Sequence, residues 1–286
     1  MSIKQHIPKP VKSVLRKGYA QYAKYKKSLK IKICLLDAKR NPSMAVCYCP
    51  CCGNWFRRFV AGRFAKTPTV YNPKRYQGIK QEVVCPICNT LPRHRILATW
   101  FNKHKDELRN KKILYFACEP GIRMWMKRSQ IKITTADYFA PANLKLDLCN
   151  IDQPDNSWDW IVCNHVLEHV NSYKTALHEL FRILKPGGKL IMSFPILSSL
   201  PNVIEEHDVP DNEIEEERRS RRVKYYGQAD HLRIFGADSK DILIQAGFKV
   251  DIIDGSKMDK RILPVVGPAD YDVNYLFLCK KPDDAQ

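Results

Sequence analysis

No apolar run in the 286 residues approaches the ~18 that a membrane-crossing helix needs, which excludes an integral helical membrane protein. Met1 to Gly18 is basic but lacks the apolar stretch of a secretory signal. The 11 cysteines are odd in number, and several crowd between Cys47 and Cys52, so a secreted disulfide framework is absent too. Together these absences set an expectation of a protein of the reducing cytoplasm. Acid is nearly missing from the first forty residues, where Asp37 stands alone against twelve Lys and Arg. That segment carries +11 of the net +18, leaving +7 for the other 246 residues. A charged fraction of only 27%, with 10% aromatics, argues against disorder.

Length allows one large domain with a smaller module. Residues 1–40 read as a basic arm interleaved with Tyr19, Tyr22 and Tyr25, suited to an anionic membrane surface, to nucleic acid, or to nothing beyond solvation. Residues 41–96 read as a cysteine module. Cys49-Pro50-Cys51-Cys52 and Cys85-Pro86-Ile87-Cys88 are two C-P-x-C turns about thirty residues apart. A C-x₂-C turn presents two thiolates to one ion, and two such turns fill a zinc tetrahedron, so Cys49, Cys52, Cys85 and Cys88 form a candidate structural zinc site. Cys47 and Cys51 lie close enough to compete as ligands. Between the turns runs a basic, aromatic stretch, Trp55 to Tyr76, fit for stacking on bases, for gripping a sugar or diphosphate, or for covering a small core. Residues 92–109 read as a helix leading out of the module, with His94 a candidate substrate contact.

From 112 onward short apolar runs alternate with helical patterns. Strands are expected at 112–117, 131–136, 145–148, 158–163 and 189–194, with helices at 121–129 and 172–184 between them. The second of these helices is expected to stop at Lys185-Pro186-Gly187-Gly188. Such alternation implies an α/β fold with a parallel sheet covered on both faces, and ligands beyond the carboxyl ends of its strands. Glu119, Gly121, Asp137, Asp147, Asn164, His165 and Pro195 fall at those ends. Residues 200–224 read as a charged insertion, a substrate lid or an exposed helix with internal charge pairs. A helix over 238–247 and two closing strands, 248–253 and 274–280, complete the block.

Asp147, the run Pro154-Asp155-Asn156-Ser157-Trp158-Asp159, the stretch from Cys163 to Val170 and Leu184-Lys185-Pro186-Gly187-Gly188 resemble the class I S-adenosylmethionine-dependent methyltransferases, of the broad type that includes ubiquinone-biosynthesis enzymes. The resemblance covers about 110–281 and implies a Rossmann-like, seven-stranded methyltransferase sheet at 97–286 behind the small N-terminal zinc-binding module. With the cysteine module, Leu91-Pro92-Arg93-His94-Arg95 and the 226–233 segment added, it is similar to a bacterial subfamily associated with surface-polysaccharide synthesis. The resemblance implies S-adenosylmethionine as cofactor, with Asp137 on the ribose hydroxyls, Asp147 and Leu148 flanking the adenine, Asn164 nearby and the Ala117–Gly121 turn under the methionine part. The family's Asp-x-Gly-x-Gly-x-Gly loop is degenerate here: Tyr115 replaces the Asp, Ala117 and Glu119 replace two glycines, and only Gly121 remains. Glu119 then offers a charge to the methionine ammonium.

Methyl transfer to a hydroxyl needs alignment and a base, and His165, His169 and His231 are the candidates, one of them at most acting as base. Arg233 is placed to hold an anionic acceptor, and Glu168 reads as support for a helix start. The reading is O-methylation of a sugar or glycan acceptor, with two alternatives: a zinc-containing RNA methyltransferase, or a zinc-bearing binding protein without activity. Charge favours RNA; the histidines, and the lack of an Asn-Pro-Pro-Tyr motif after the fourth strand, favour an O–H acceptor.

Overall fold

A computed structural model describes residues 46–61, 69–71, 82–206, 214–262 and 275–284, with isolated positions between 28 and 43. Most of the basic arm 1–40, Arg63 to Lys66 and Lys74 to Tyr76 of the basic aromatic stretch, and 207–213 of the charged insertion lie outside the described residues.

Two small hairpins carry the cysteine turns. Strands β1 (Cys47–Cys49) and β2 (Asn54–Phe56) pair antiparallel around the first, and β3 (Val60–Ala61) pairs antiparallel with β4 (Glu82–Val84) just before the second. The helix Pro92–Lys103 follows. Its expected continuation to 109 breaks at His104, whose ring stacks on Trp100 at 4.0 Å, and a one-turn helix Lys105–Leu108 resumes beyond it.

The alternating block then gives β5 (Ile113–Phe116), helix Pro120–Arg128, β6 (Thr134–Asp137), β7 (Leu144–Lys145), β8 (Trp158–Asn164), helix Tyr173–Ile183, β9 (Leu184–Ser193), β10 (Ile204–Glu205), helix Glu215–Tyr226, β11 (Arg233–Ile234), helix Ser239–Gln245, β12 (Lys249–Asp254) and β13 (Tyr275–Lys280). One seven-stranded sheet has the order β12-β13-β9-β8-β5-β6-β7. Strands β6, β5, β8, β9 and β7 run parallel, while β13 lies antiparallel between β9 and β12, the expected closing pair. Two local expectations are corrected. The strand at 145–148 is only Leu144–Lys145, because Leu146 and Leu148 turn into the core. Strand β9 begins at Leu184, opposite Trp158, and Lys185 to Gly188 form an excursion before Lys189 rejoins opposite Trp160.

Alternation along the strands fills both faces. Leu114, Phe116, Ile161 and Met192 point to one side, where Ala176, Leu177, Leu180 and Ile183 of helix Tyr173–Ile183 cover them. Ser172 caps that helix by accepting from the Thr175 N–H at 3.2 Å. Ile113, Tyr115, Trp160, Val162 and Ile191 point to the other side, against Ile96, Phe101, Trp125 and the cysteine hairpins' Cys49, Cys51 and Phe56. The module therefore shares a core with the sheet, and position 96/97 falls inside one helix. Burying each large side chain there contributes about 1.5–3 kcal/mol. Among the described residues, no helix is long and apolar enough to cross a membrane.

Candidate active site and cysteine centre

The two cysteine turns meet. Gly53 N–H donates to the Cys49 carbonyl at 2.7 Å and Asn89 N–H to that of Cys85 at 3.0 Å, closing each turn so that its thiols face the other. Cys49 Sγ stands 3.6 Å from Cys88 Sγ, Cys52 Sγ stands 3.9 Å from Cys85 Sγ, and all four sulfurs lie within 4.8 Å of one another. A tetrahedron with Zn–S bonds of about 2.3 Å has edges of about 3.8 Å, so the donor set fits. Thr90 Oγ1 sits 3.2 Å from both Cys49 and Cys88. The competition from Cys47 and Cys51 resolves itself: Cys51 Sγ donates to the His94 carbonyl at 3.4 Å and Cys47 Sγ to that of Arg57 at 3.8 Å. Hydrogen bonds from neighbouring thiols hold Cys49 as the thiolate, while those same bonds push Cys52 and Cys85 up. Beneath the cluster the buried Arg95 donates to the carbonyls of Val83, Thr90 and Ile262, joining the second hairpin and its turn to a late segment of the chain.

At the carboxyl edge of the sheet, β5 delivers Tyr115 and the loop to Gly121. Ala117 occupies a left-handed backbone (φ 49°) where the family pattern has glycine, a conformation L-residues adopt at a cost of about 1–2 kcal/mol. Tyr115 OH donates to Glu119 Oε2 at 2.7 Å, and Asn164 Nδ2 reaches Tyr115 OH at 3.4 Å while its Oδ1 accepts from Ser193 Oγ at 2.8 Å. A polar chain thus ties the ends of β5, β8 and β9.

His94 is not an exposed substrate contact. It is 8% exposed, its Nδ1 accepts from the Leu91 N–H at 3.0 Å, and its Nε2 faces Glu119 Oε1 at 3.4 Å. Burial lowers its pKa against the pull of Glu119, so at neutral pH the pair is a carboxylate facing a neutral imidazole. Burial raises Glu119, but the His94 and Tyr115 hydrogen bonds outweigh it and the group stays below the usual carboxylate range.

Gly121 is spent on packing. A Cβ there would meet Thr90 Cγ2, so helix Pro120–Arg128 approaches the cysteine module only because this residue has no side chain. Asp137 Oδ1 accepts from the N–H groups of Phe139 and Ala140 at 2.8 and 2.7 Å, leaving Oδ2 for a ligand. Asp147 is exposed and turns its own loop, accepting from Cys149 N–H at 2.8 Å. Leu148 is 3% exposed within the core, so its side chain offers a ligand no surface.

Past β8 the three predicted histidines gather around Glu168. His165 holds a left-handed backbone (φ 53°) and puts Nδ1 3.2 Å from Glu168 Oε1. His169 Nε2 stands 3.9 Å from the same oxygen, and its ring meets that of His231 edge-on at 4.8 Å. Glu168 is 1% exposed; burial raises its pKa, but the hydrogen bond with His165 and the neighbouring imidazoles bring it below the ordinary value. Spacing is the signal that points to Glu168: His165-x-x-Glu168-His169 sets one carboxylate between two imidazoles.

Arg233 does not hold an acceptor. Only 2% exposed, its guanidinium donates to the carbonyls of Leu167, Val170 and Asn171 and to Glu205 Oε1 at 3.0 Å. It clamps the histidine loop onto the β10–β11 ribbon, a pair of two-residue strands that no periodicity foretells.

A parallel sheet carrying one antiparallel strand in this order, with polar side chains gathered along its carboxyl edge, defines a Rossmann-like transferase architecture. The family model described as a methyltransferase domain matches residues 91–252, more than half of the chain, and the chain belongs to that S-adenosylmethionine-dependent family. It is similar to a demethylmenaquinone methyltransferase of Geobacillus sp. (strain WCH70), 42% identical over 53 residues, which are 18% of this chain and 23% of the relative. A second demethylmenaquinone methyltransferase, from Listeria monocytogenes serotype 4a (strain HCC23), is 33% identical over 78 residues, 27% of this chain and 32% of the relative. The chain thus spans a third or less of the curated relatives it matches. A crystal structure of an S-adenosylmethionine-dependent methyltransferase from Mesorhizobium loti, 14% identical, covers 65% of this chain and 98% of its own with a TM-score of 0.45.

Proposed function

We propose that the chain moves the methyl group of S-adenosylmethionine to a hydroxyl oxygen, with His165 as the base. The observation that carries this is the His165–Glu168 pair at the carboxyl end of β8, 3.2 Å between Nδ1 and Oε1. A carboxylate accepting from Nδ1–H fixes the tautomer and leaves Nε2 with its lone pair, ready for the acceptor proton. The oxygen attacks the methyl carbon, the carbon–sulfur bond breaks, and the sulfonium leaves as a neutral thioether while the hydroxyl proton passes to Nε2.

The cofactor residues fit in part. Asp137 Oδ2 suits the ribose hydroxyls, and Asp147 and Asn164 lie along the same edge. Glu119 keeps both oxygens occupied by Tyr115 and His94, so an ammonium approaching it shares rather than finds a free carboxylate. In this reading Cys49, Cys52, Cys85 and Cys88 hold a structural zinc ion, which contributes rigidity and no chemistry.

For the acceptor, the buried Glu–His set suits an O–H group, and the resemblance to the polysaccharide-linked subfamily supports a sugar or glycan. The relatives named for demethylmenaquinone and the charge that favours RNA make lipid quinone and RNA the competitors. In this reading the protein is cytoplasmic, and the basic arm 1–40 rests on an anionic inner membrane face. The test supplies methyl-labelled S-adenosylmethionine with envelope polysaccharide, total RNA and a quinone extract. Label is expected in the polysaccharide; label in RNA or lipid alone overturns the acceptor assignment. His165→Asn is expected to lower turnover by about 10²–10⁴-fold with cofactor affinity unchanged. Turnover at the wild-type rate would remove His165 from the mechanism.

A further inference from the structure

Glu168 presents a problem that the His165 pair leaves unsolved. Its Oε1 faces His165, but its Oε2 is buried and has no hydrogen-bond partner among the described residues. An ionised oxygen taken out of water without a partner is costly, commonly several kcal/mol, and such groups are usually paired or bound to metal. The side chains of His169 and His231 crowd beside it, and the ligand atoms of Glu168, His169 and His231 all lie within 4.8 Å of one another.

We propose that Glu168, His169 and His231 bind one divalent transition-metal ion, separate from the cysteine centre and just past the carboxyl end of β8. Two imidazoles and one carboxylate on one side of an ion form a facial set that leaves coordination positions open. Cis ligands about 2.1 Å from an ion stand roughly 3–3.5 Å apart, so small side-chain rotations close the observed spacing. The tautomer of His169 is already right. Its Nδ1 lies 3.0 Å from the Asp230 carbonyl, which accepts from Nδ1–H and turns the Nε2 lone pair toward Glu168. A ligating histidine is typically oriented in this way by a carbonyl or carboxylate behind it.

The frame around the three is rigid. Arg233 ties down Leu167, Val170 and Asn171 on either side of His169, and Leu232 N–H donates to the Glu168 carbonyl at 2.9 Å, holding the His231 strand end against the loop. Mixed nitrogen and oxygen donors favour manganese, iron, cobalt or zinc over magnesium, which prefers oxygen alone. The assignment rests on the proposed methyl transfer in one respect: the open positions would take acceptor oxygens, leaving His165 as base. Occupancy itself does not depend on that reading.

Manganese(II) is the probe, because it binds thiolate poorly and so ignores the cysteine centre. Titrating the full chain and reading free ion by electron paramagnetic resonance should show about one equivalent bound. His231→Ala should weaken binding at least about tenfold, and His178→Ala, at an exposed position of helix Tyr173–Ile183, should leave it unchanged. Should His231→Ala lose its wild-type far-ultraviolet circular dichroism, His169→Gln at the more exposed ligand serves instead. No uptake by wild type at about 1 mM free ion, or equal uptake by the histidine variant, overturns the site. Calorimetry with S-adenosylmethionine on the same samples separates the two readings. Cofactor binding without manganese binding defeats only the metal site, and the reverse defeats only the methyl-transfer reading.

Discussion

Burial lowers the pKa of the His94 imidazole below that of an exposed histidine. The sign of the consequence follows from proton counting. Below an unfolded pKa of about 6.5 the unfolded chain takes up a proton that the folded one refuses, so stability falls as pH drops below that value. The contribution is fully present above it. Glu119 acts in a separate window: its folded pKa is depressed, so its share is present above about 4.3 and is lost below it. Urea midpoints between pH 7.5 and 5.5 should therefore decline more steeply for wild type than for His94→Gln. Parallel slopes would show that His94 does not drive the decline. At this scale the residue types were legible and their uses less so. His94 read as a substrate contact from its place on the helix after the cysteine module, and Arg233 as an acceptor contact from its place beside His231. His94 instead faces the Glu119 carboxylate, and Arg233 donates to carbonyl oxygens and a carboxylate brought in from up to 66 residues away, which no local pattern encodes.

Elements meet here through contacts of single atoms. Helix Pro120–Arg128 begins against Thr90, and the position a Gly121 Cβ would occupy is filled by Thr90 Cγ2. Gly121→Ala is expected to destabilise by about 1–3 kcal/mol through overpacking. Thr90→Ser removes the methyl and keeps the hydroxyl beside Cys49 and Cys88, so Gly121→Ala/Thr90→Ser should recover most of that loss. Chemical denaturation of the four proteins checks it; a double variant no better than the single would place the strain elsewhere. The strands and helices of the alternating block were readable because their apolar spacing is local, as in Ala176, Leu177 and Leu180. The β10–β11 ribbon and the break at His104 were not, since each depends on a partner supplied by the folded chain.

Across the whole molecule, the cysteine centre is part of the sheet's support. Cys49, Cys51 and Phe56 lie in one buried cluster with Trp125, Trp160 and Ile191. Loss of a structural ion there should propagate into the catalytic sheet rather than loosen a tethered module. Purified protein is expected to carry about one zinc, and stripping it with a chelator should cost several kcal/mol, lowering the melting temperature by about 10 °C or more. Cys85→Ser should reproduce the effect. A melting curve unmoved by chelation would detach the metal from the fold. The C-P-x-C spacing made the four ligands readable, while the shared core was invisible, because it joins residues more than a hundred positions apart.

That shared core also dictates an order of events. Tyr48 N–H donates to the Arg261 carbonyl, Arg95 reaches Ile262, and Leu276 of β13 packs into the same cluster. The segment translated early can form its hairpins on the ribosome, yet its apolar floor is completed only when Ile191 of β9 and Leu276 of β13 arrive. Contacts of such sequence separation are slow to close and leave apolar surface bare meanwhile. The cysteine hairpins therefore reach full cover only once the late strands of the sheet are in place, and their thiols are most open to oxidation before then.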